Sequence, residues 1–174
     1  GVGQDKVSEP NLEALQTGMS NLDKHLRNLQ SFGQTVVVVF NRYNGDCEEE
    51  INYVRQHCAE LGIGCEVNDA YALGGAGAAK LAQLVVDTIN EKPSQPLQFS
   101  YIDEDSVEEK IGKVAKNLYG AASVTLSAAA KKKLQMIDEL GYTHFPICIA
   151  KTQYSFSTDA KKYGAPEGFG FNVQ

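Results

Sequence analysis

Tryptophan is absent from the 174 residues, and proline is scarce at five. Cysteine is scarce too. Cys47, Cys58, Cys65 and Cys148 are the whole set, with no CxxC and no neighbouring histidine pair. That spacing excludes a zinc ribbon and a disulfide framework, and reads as buried or idle thiols in a reducing compartment. No run approaches the roughly 18 apolar residues of a membrane helix, and the opening GVGQDKVSEP has no signal-peptide core. Positive charge is also short: the formal net charge is -6, and the one basic run, Lys131-Lys132-Lys133, lies within a helical pattern as a solvated face. Nucleic acid and membranes are therefore excluded as partners, and a soluble cytoplasmic chain is expected. Catalytic signatures are missing as well. There is no Ser-His-Asp order, no HExxH, no carboxylate pair with an acid–base spacing and no GxxxxGK[ST] loop, and no metal site is expected.

What is present is a repeated alternation of strands and helices. Leu12, Leu15, Met19, Leu22, Leu26 and Leu29 are spaced 3, 4, 3, 4, 3, one face of a long helix with Ser8 as its cap and Gly33 as its end. TVVVVF follows without polar alternation, the pattern of a parallel strand buried on both faces. Asp46 and Glu49 have capping-box spacing ahead of a helix striped by Ile51, Val54, Cys58 and Leu61. IGCEV is a strand, and GGAGAAKLAQLVVDTIN opens with glycines and continues as helix. Ser106 and Glu109 cap another helix that Gly120 ends; SVTL is a strand; Ser127 starts a helix running to Gly141; FPICIA and FGFNV are further strands. The fold class is α/β: a mostly parallel sheet flanked by helices. The proline-containing segment EKPSQPL divides it into two lobes, residues 1–92 and 93–174. The chain stops at FNVQ inside an apolar segment, as a piece of something longer would.

Ligands of open parallel sheets gather beyond the carboxyl ends of strands, and three such ends are polar. Asn41-Arg42 follows the valine run; an asparagine amide offers a donor and an acceptor together, suited to a purine edge, or it simply turns the chain. Tyr71 precedes Gly74-Gly75-Ala76-Gly77, where free N–H groups at a helix start can face an anion and the ring can stack, or where glycines only let a helix pack close. The third end is the densest. Ile147-Cys148-Ile149-Ala150 breaks into Lys151, Thr152, Gln153, Tyr154, Ser155, Phe156 and Ser157, with none of the turn-forming Gly, Asn, Asp or Pro. Phe145-Pro146 just upstream offers a flat surface. From the residues alone the reading ends at an α/β chain with an anion or nucleotide site.

In order, NLEAL and NLDKHLRNLQSFG, VVVVFNRY, AYALGGAG, AKNLYGA, FPICIAKTQYSFS and GAPEGFGFNV resemble the C-terminal half of the formate–tetrahydrofolate ligase family, from about Asn11 to Val173. The resemblance implies a fragment of a larger P-loop-type α/β enzyme that joins formate to tetrahydrofolate at the expense of ATP, with Mg, through formyl phosphate. It further implies a homo-oligomer whose phosphate-binding loop lies elsewhere in its own polypeptide, so that this chain alone is inactive. Residues 1–92 would continue the nucleotide-binding sheet, and residues 93–174 would form the folate side. By motif, Asn41, Tyr71, Gly74, Gly75 and Gly77 would bind nucleotide, with Tyr71 where the family commonly has Trp. Phe145, Pro146, Lys151, Thr152, Gln153, Tyr154, Ser155 and Ser157 would line the folate and formyl phosphate cleft. No catalytic residue is implied. Two rival readings stay open: a shortened, non-catalytic paralogue that binds nucleotide or folate, and an oligomerisation scaffold.

Overall fold

Asn11, with a short side chain ahead of an apolar-periodic run, starts the first helix, α1 (Leu12–Ser31). Its Oδ1 accepts the Ala14 N–H at 2.9 Å, which satisfies one of the donors a helix start leaves open. The computed structural model describes residues 2–6, 9–149, 156–159 and 161–174. Ser8, the expected cap, lies outside them, and Asn11 does that work. Gly33 ends the helix at φ +77°, and a Cβ there would sit 2.9 Å from the Pro96 carbonyl oxygen.

The chain divides into two compact units, Gly1–Leu97 and Gln98–Gln174. In the first, β1 (Val37–Asn41) is joined by α2 (Glu48–Glu60) to β2 (Gly64–Asn68). The two strands pair in parallel, Val37 opposite Gly64 through Asn41 opposite Asn68. A turn of helix, α3 (Ala70–Leu73), a 3-10 turn (Gly74–Ala78) and α4 (Ala79–Glu91) follow. Met19 and Leu26 of α1 pack with Val54 and Cys58 of α2, and Val36, Val38 and Phe40 close this core from the sheet. On the other side Leu84 of α4 meets Gly64, where a Cβ would lie 2.9 Å from its Cδ1. The strand predicted to be buried on both faces is buried on neither: Val38 and Phe40 are half-buried against the core and the other face is more open. Val39 remains 42% exposed, as do Val86 and Ile89 of α4 at 51% and 63%. The physical reason is the sheet's width, since two strands leave one helix to cover the second face. The segment at Lys92–Leu97 stays with this unit: Gln95 N–H donates to the Gly33 carbonyl at 2.8 Å, and Ser94 Oγ accepts the Thr35 N–H at 3.0 Å.

The second unit contains α5 (Val107–Val114), a π-helical turn (Ala115–Tyr119), β3 (Ser123–Leu126), α6 (Ala128–Glu139) and β4 (Gly170–Val173). The predicted capping box is present: Ser106 Oγ accepts the Glu109 N–H, and Glu109 Oε2 accepts the Ser106 N–H. Ser127 caps α6 through the Ala130 N–H. Strands β3 and β4 pair in parallel, Ser123 opposite Gly170, over Ala115, Ala121, Phe169 and Phe171. The architecture is thus α/β with parallel strands. No helix among the described residues is long and apolar enough to cross a membrane.

One predicted strand is absent. Among the described residues, 145–149 join no ladder, and side chains take up their backbone groups instead. Tyr101 Oη accepts the Ile147 N–H at 2.9 Å and donates to the Ile147 carbonyl at 3.2 Å. Lys110 Nζ donates to the carbonyls of Thr143 and Phe145 at 2.9 and 3.1 Å, and lies 5.7 Å from the Tyr101 ring centroid. Lys110 is wholly buried, rare for lysine unless its charge is well partnered. Lys110→Met keeps the bulk and strips both carbonyls of their donor. We expect a loss of about 2 kcal/mol in urea unfolding; an unchanged midpoint would refute this account of the segment.

Candidate functional site

Because β1 and β2 run parallel and in register, their carboxyl ends emerge side by side. Past Asn41 the chain reverses in a tight turn. Tyr43 N–H donates to Asp46 Oδ2 at 2.8 Å, Asp46 N–H donates to the Tyr43 carbonyl at 3.2 Å, and Gly45 sits at φ +106°. Asp46 is therefore not the helix cap its spacing predicted, since its carboxylate is used inside the turn. Helix α2 starts after Cys47 with no side-chain cap, and Glu48, Glu49 and Glu50 place negative charge against its N-terminus. Past Asn68 the chain enters α3, which carries Tyr71.

Between these two exits lies a cavity of about 960 Å³ whose lining includes Asn41, Arg42, Tyr43, Asp46, Asp69 and Tyr71. Its size falls at the upper end of small-molecule sites. Tyr43 is 75% exposed and Tyr71 fully exposed, so two aromatic rings carry faces unused by the core, suited to a flat heterocycle. Arg42 is anchored at 2.9 Å to Glu48. Its Nε lies 3.5 Å from Asp69 Oδ1 but is buried without a hydrogen bond. Asn68 joins the two strand ends: its Nδ2 donates to Asn41 Oδ1 at 3.0 Å, and its Oδ1 accepts the Ala70 N–H at 3.1 Å. Asn41 was expected to present a donor and an acceptor together; its oxygen already accepts one hydrogen bond, from Asn68, which fixes which way the amide is turned.

Of the expected nucleotide residues, the structure brings Asn41 and Tyr71 into one cavity. Gly74, Gly75 and Gly77 follow in the 3-10 turn and are not in its lining. Gly77 is required by packing: a Cβ there would collide with the Asp69 carbonyl, and the Gly77 carbonyl accepts the Asp69 N–H at 3.1 Å. Gly75 has open space at its Cβ position. Of the expected cleft residues in the second unit, Phe145 and Pro146 are exposed. The Phe145 ring stacks on Tyr142 at 5.2 Å and meets the edge of His144 at 4.6 Å. Ser157 is wholly buried, its Oγ accepting the Asp159 N–H at 2.9 Å. Lys151, Thr152, Gln153, Tyr154 and Ser155 lie outside the described residues. Sequence reasoning passed over Tyr43, Asn68 and Asp69, although each stands within a few residues of a strand's carboxyl end.

Strand β2 itself carries two side chains whose titration is moved by their surroundings, Glu66 and Cys65. The Val67 N–H at 2.8 Å and Arg55 at 2.6 Å, both on Glu66 Oε1, hold its carboxyl below the ordinary glutamate range despite the opposing effect of burial. Burial, reinforced by Cys58 beside it, pushes the Cys65 thiol up to about 12, so it stays protonated at neutral pH. All four cysteines are free. No group of three or more His, Cys, Asp or Glu that could hold a metal comes together among the described residues.

Comparison with known proteins bears on what this arrangement belongs to. A family model described as formate–tetrahydrofolate ligase matches residues 1–174. The chain is similar to formate–tetrahydrofolate ligases of Phocaeicola vulgatus (66% identical over 174 residues), Bacteroides fragilis strain YCH46 (56% over 174) and Porphyromonas gingivalis (50% over 173). These alignments cover 100%, 100% and 99% of this chain and 31% of each relative. The chain thus spans about a third of the length of the curated relatives it matches.

Two outcomes check the local chemistry. Gly77→Ala should lower the unfolding free energy by about 1–3 kcal/mol through forced backbone movement, while Gly75→Ala changes it little; equal effects would dismiss the packing role. Glu66, with its folded-state pKa lowered, contributes stability that is full above its unfolded value and is lost as pH falls through the folded one. In acid, urea unfolding of Glu66→Gln should therefore vary less with pH than that of the parent, and parallel profiles would refute the assignment.

Proposed function

The chain belongs to the formate–tetrahydrofolate ligase family, and on that premise we propose that it is part of an enzyme that joins formate to tetrahydrofolate at the expense of ATP. The whole-length family match carries this reading. ATP, entering with Mg, first phosphorylates formate; the amine of tetrahydrofolate then displaces phosphate from formyl phosphate, giving 10-formyltetrahydrofolate. The first step brings two anions together and releases ADP, and in the second a neutral amine gives up its proton as phosphate leaves, so what a protein adds is orientation and fixed dipoles in a site shielded from water.

In this reading the first unit supplies a seat for a flat heterocycle. The rings of Tyr43 and Tyr71 offer stacking faces and the Asn41 amide offers a directed hydrogen bond, while the Arg42 charge is met by Glu48 and Asp69. Adenine is the occupant the motifs suggested, and the pterin of tetrahydrofolate presents the same kind of flat, hydrogen-bonding edge. Gly74 and Gly75 would approach the anionic portion of a nucleotide, whereas Gly77 serves the turn. In the second unit, Phe145, Pro146 and the polar row Lys151 to Ser157 would line the folate and formyl phosphate side. The remainder of the polypeptide would bring the phosphate-binding loop, and the complete enzyme would work as a cytoplasmic homo-oligomer. With the loop supplied from elsewhere, these residues alone would be inactive.

The test is formate- and ATP-dependent formation of 10-formyltetrahydrofolate by the full polypeptide. Activity is expected there and absent from the 174 residues alone; the same rate in both would refute the division of labour. Tyr71→Ala should raise the KM of one substrate, ATP or tetrahydrofolate, on the order of tenfold through lost stacking and leave that of formate unchanged. No change in any KM would remove the cavity from the substrate path.

A further inference from the structure

The two asparagines at the strand ends form a chain whose polarity is set from one end. The Ala70 N–H can only donate, so the Asn68 atom facing it at 3.1 Å is the carbonyl oxygen. The other terminus of that side chain is then the NH₂ group, and it faces Asn41 at 3.0 Å. Asn41 must answer with Oδ1, because turning it over would set two NH₂ groups against each other. One backbone amide thus orients two side-chain amides in series. It leaves Asn41 Nδ2, on a residue lining the cavity, as the end of the amide that Asn68 does not engage.

We propose that Asn68 is a positioning residue that fixes Asn41 as a hydrogen-bond donor, so that the cavity selects heterocycles presenting a carbonyl oxygen at that edge over those presenting an amino group. The inference rests on the reading of the cavity as a heterocycle seat and adds the polarity of that seat. Its origin is covalent geometry rather than charge. Ala70 is the first residue of α3, where a backbone N–H has no partner within the helix, and Asn68 supplies one. The parallel register that sets Asn41 opposite Asn68 then hands the orientation across the sheet. An amino group brought to Asn41 Nδ2 would leave two donors face to face, a mismatch worth on the order of tenfold or more in binding.

The experiment uses ligand pairs in which a carbonyl and an amine exchange places: tetrahydrofolate against its 4-amino analogue, and ITP against ATP. Dissociation constants are measured on the full polypeptide, the parent and three variants. Asn68→Asp has two accepting oxygens; one still receives the Ala70 N–H, and the other draws Asn41 Nδ2 toward it, leaving Asn41 Oδ1 for the ligand. Asn41→Asp keeps the Asn68 bond and likewise offers only an acceptor. It carries the test alone should Asn68→Asp fail to fold. The third variant, Tyr71→Ala, identifies which pair binds in this cavity. For that pair the parent should prefer the carbonyl member, and both Asp variants should reverse the preference, each ratio shifting on the order of tenfold or more. A Tyr71-sensitive pair whose preference survives in the Asp variants overturns the inference and leaves the heterocycle seat standing. If Tyr71→Ala changes the affinity of neither pair, the seat itself is refuted, and the inference with it.

Discussion

Parallel pairing of β1 and β2 is the constraint on which the first unit depends. Antiparallel strands would send Asn41 and Asn68 to opposite edges of the sheet. Parallel ones in register bring the two residues to the same edge, and every group of the cavity is reached within a few residues of that edge. The price of a parallel pair is a long crossover, and α2 provides it while burying Ile51, Val54 and Cys58. The same helix takes Arg42 on Glu48 and the Asn11 N–H on Glu50, so its acidic first turn ties the start of α1 and the strand end to one place.

The second unit meets its backbone requirements by a different route. Its sheet is also a parallel pair, but residues 143–147 are held by a tyrosine hydroxyl and a buried ammonium instead of a neighbouring strand. A ladder bond repeats at every second residue and fixes a whole strand. Tyr101 and Lys110 fix single carbonyls and one amide, and so place Thr143, Phe145 and Ile147 individually. The stacked Tyr142 and Phe145 rings stay on the surface as a result.

Helix boundaries were the most legible part of the sequence. The Ser106 and Glu109 box, the Ser127 cap and the glycines after α1 and α2 stand where local chemistry put them, because each depends on atoms within four residues. The errors have two causes. Asp46 has correct capping spacing but is taken by a competing local donor, the Tyr43 N–H three residues back. The valine run has the composition of a doubly covered strand but, among the described residues, only one partner strand, and residues 145–149 have strand-like composition but join no ladder; these two outcomes were decided by something distant in the chain. The site followed the same rule. Asn41 and Tyr71, singled out by their position after strands, line one cavity, whereas Gly74, Gly75 and Gly77, singled out by composition, do not, and only packing shows that Gly77 serves the turn. Nothing local marks Lys110 as buried or Asn68 as the partner of Asn41. The family resemblance, carried by motifs spread from Asn11 to Val173, was legible in full.

A sheet of two parallel strands has a consequence that isotope labelling makes visible. Backbone amides along a strand point alternately to its two sides, and among the described residues β1 has a neighbour, β2, on one side only. Arg42 N–H points to β2, bonding the Asn68 carbonyl, so Phe40 and Val38 point the same way, and Val37, Val39 and Asn41 point outward. In deuterated water the first set should retain its protons while the second exchanges early, a comb with a tooth at every second residue. The timescale of that comb belongs to α1, α2 and α4, because a two-stranded ribbon has no independent stability. The slowest amides of the valine run thus record how often the surrounding helices part, and they serve as a clock for the opening of the whole first unit.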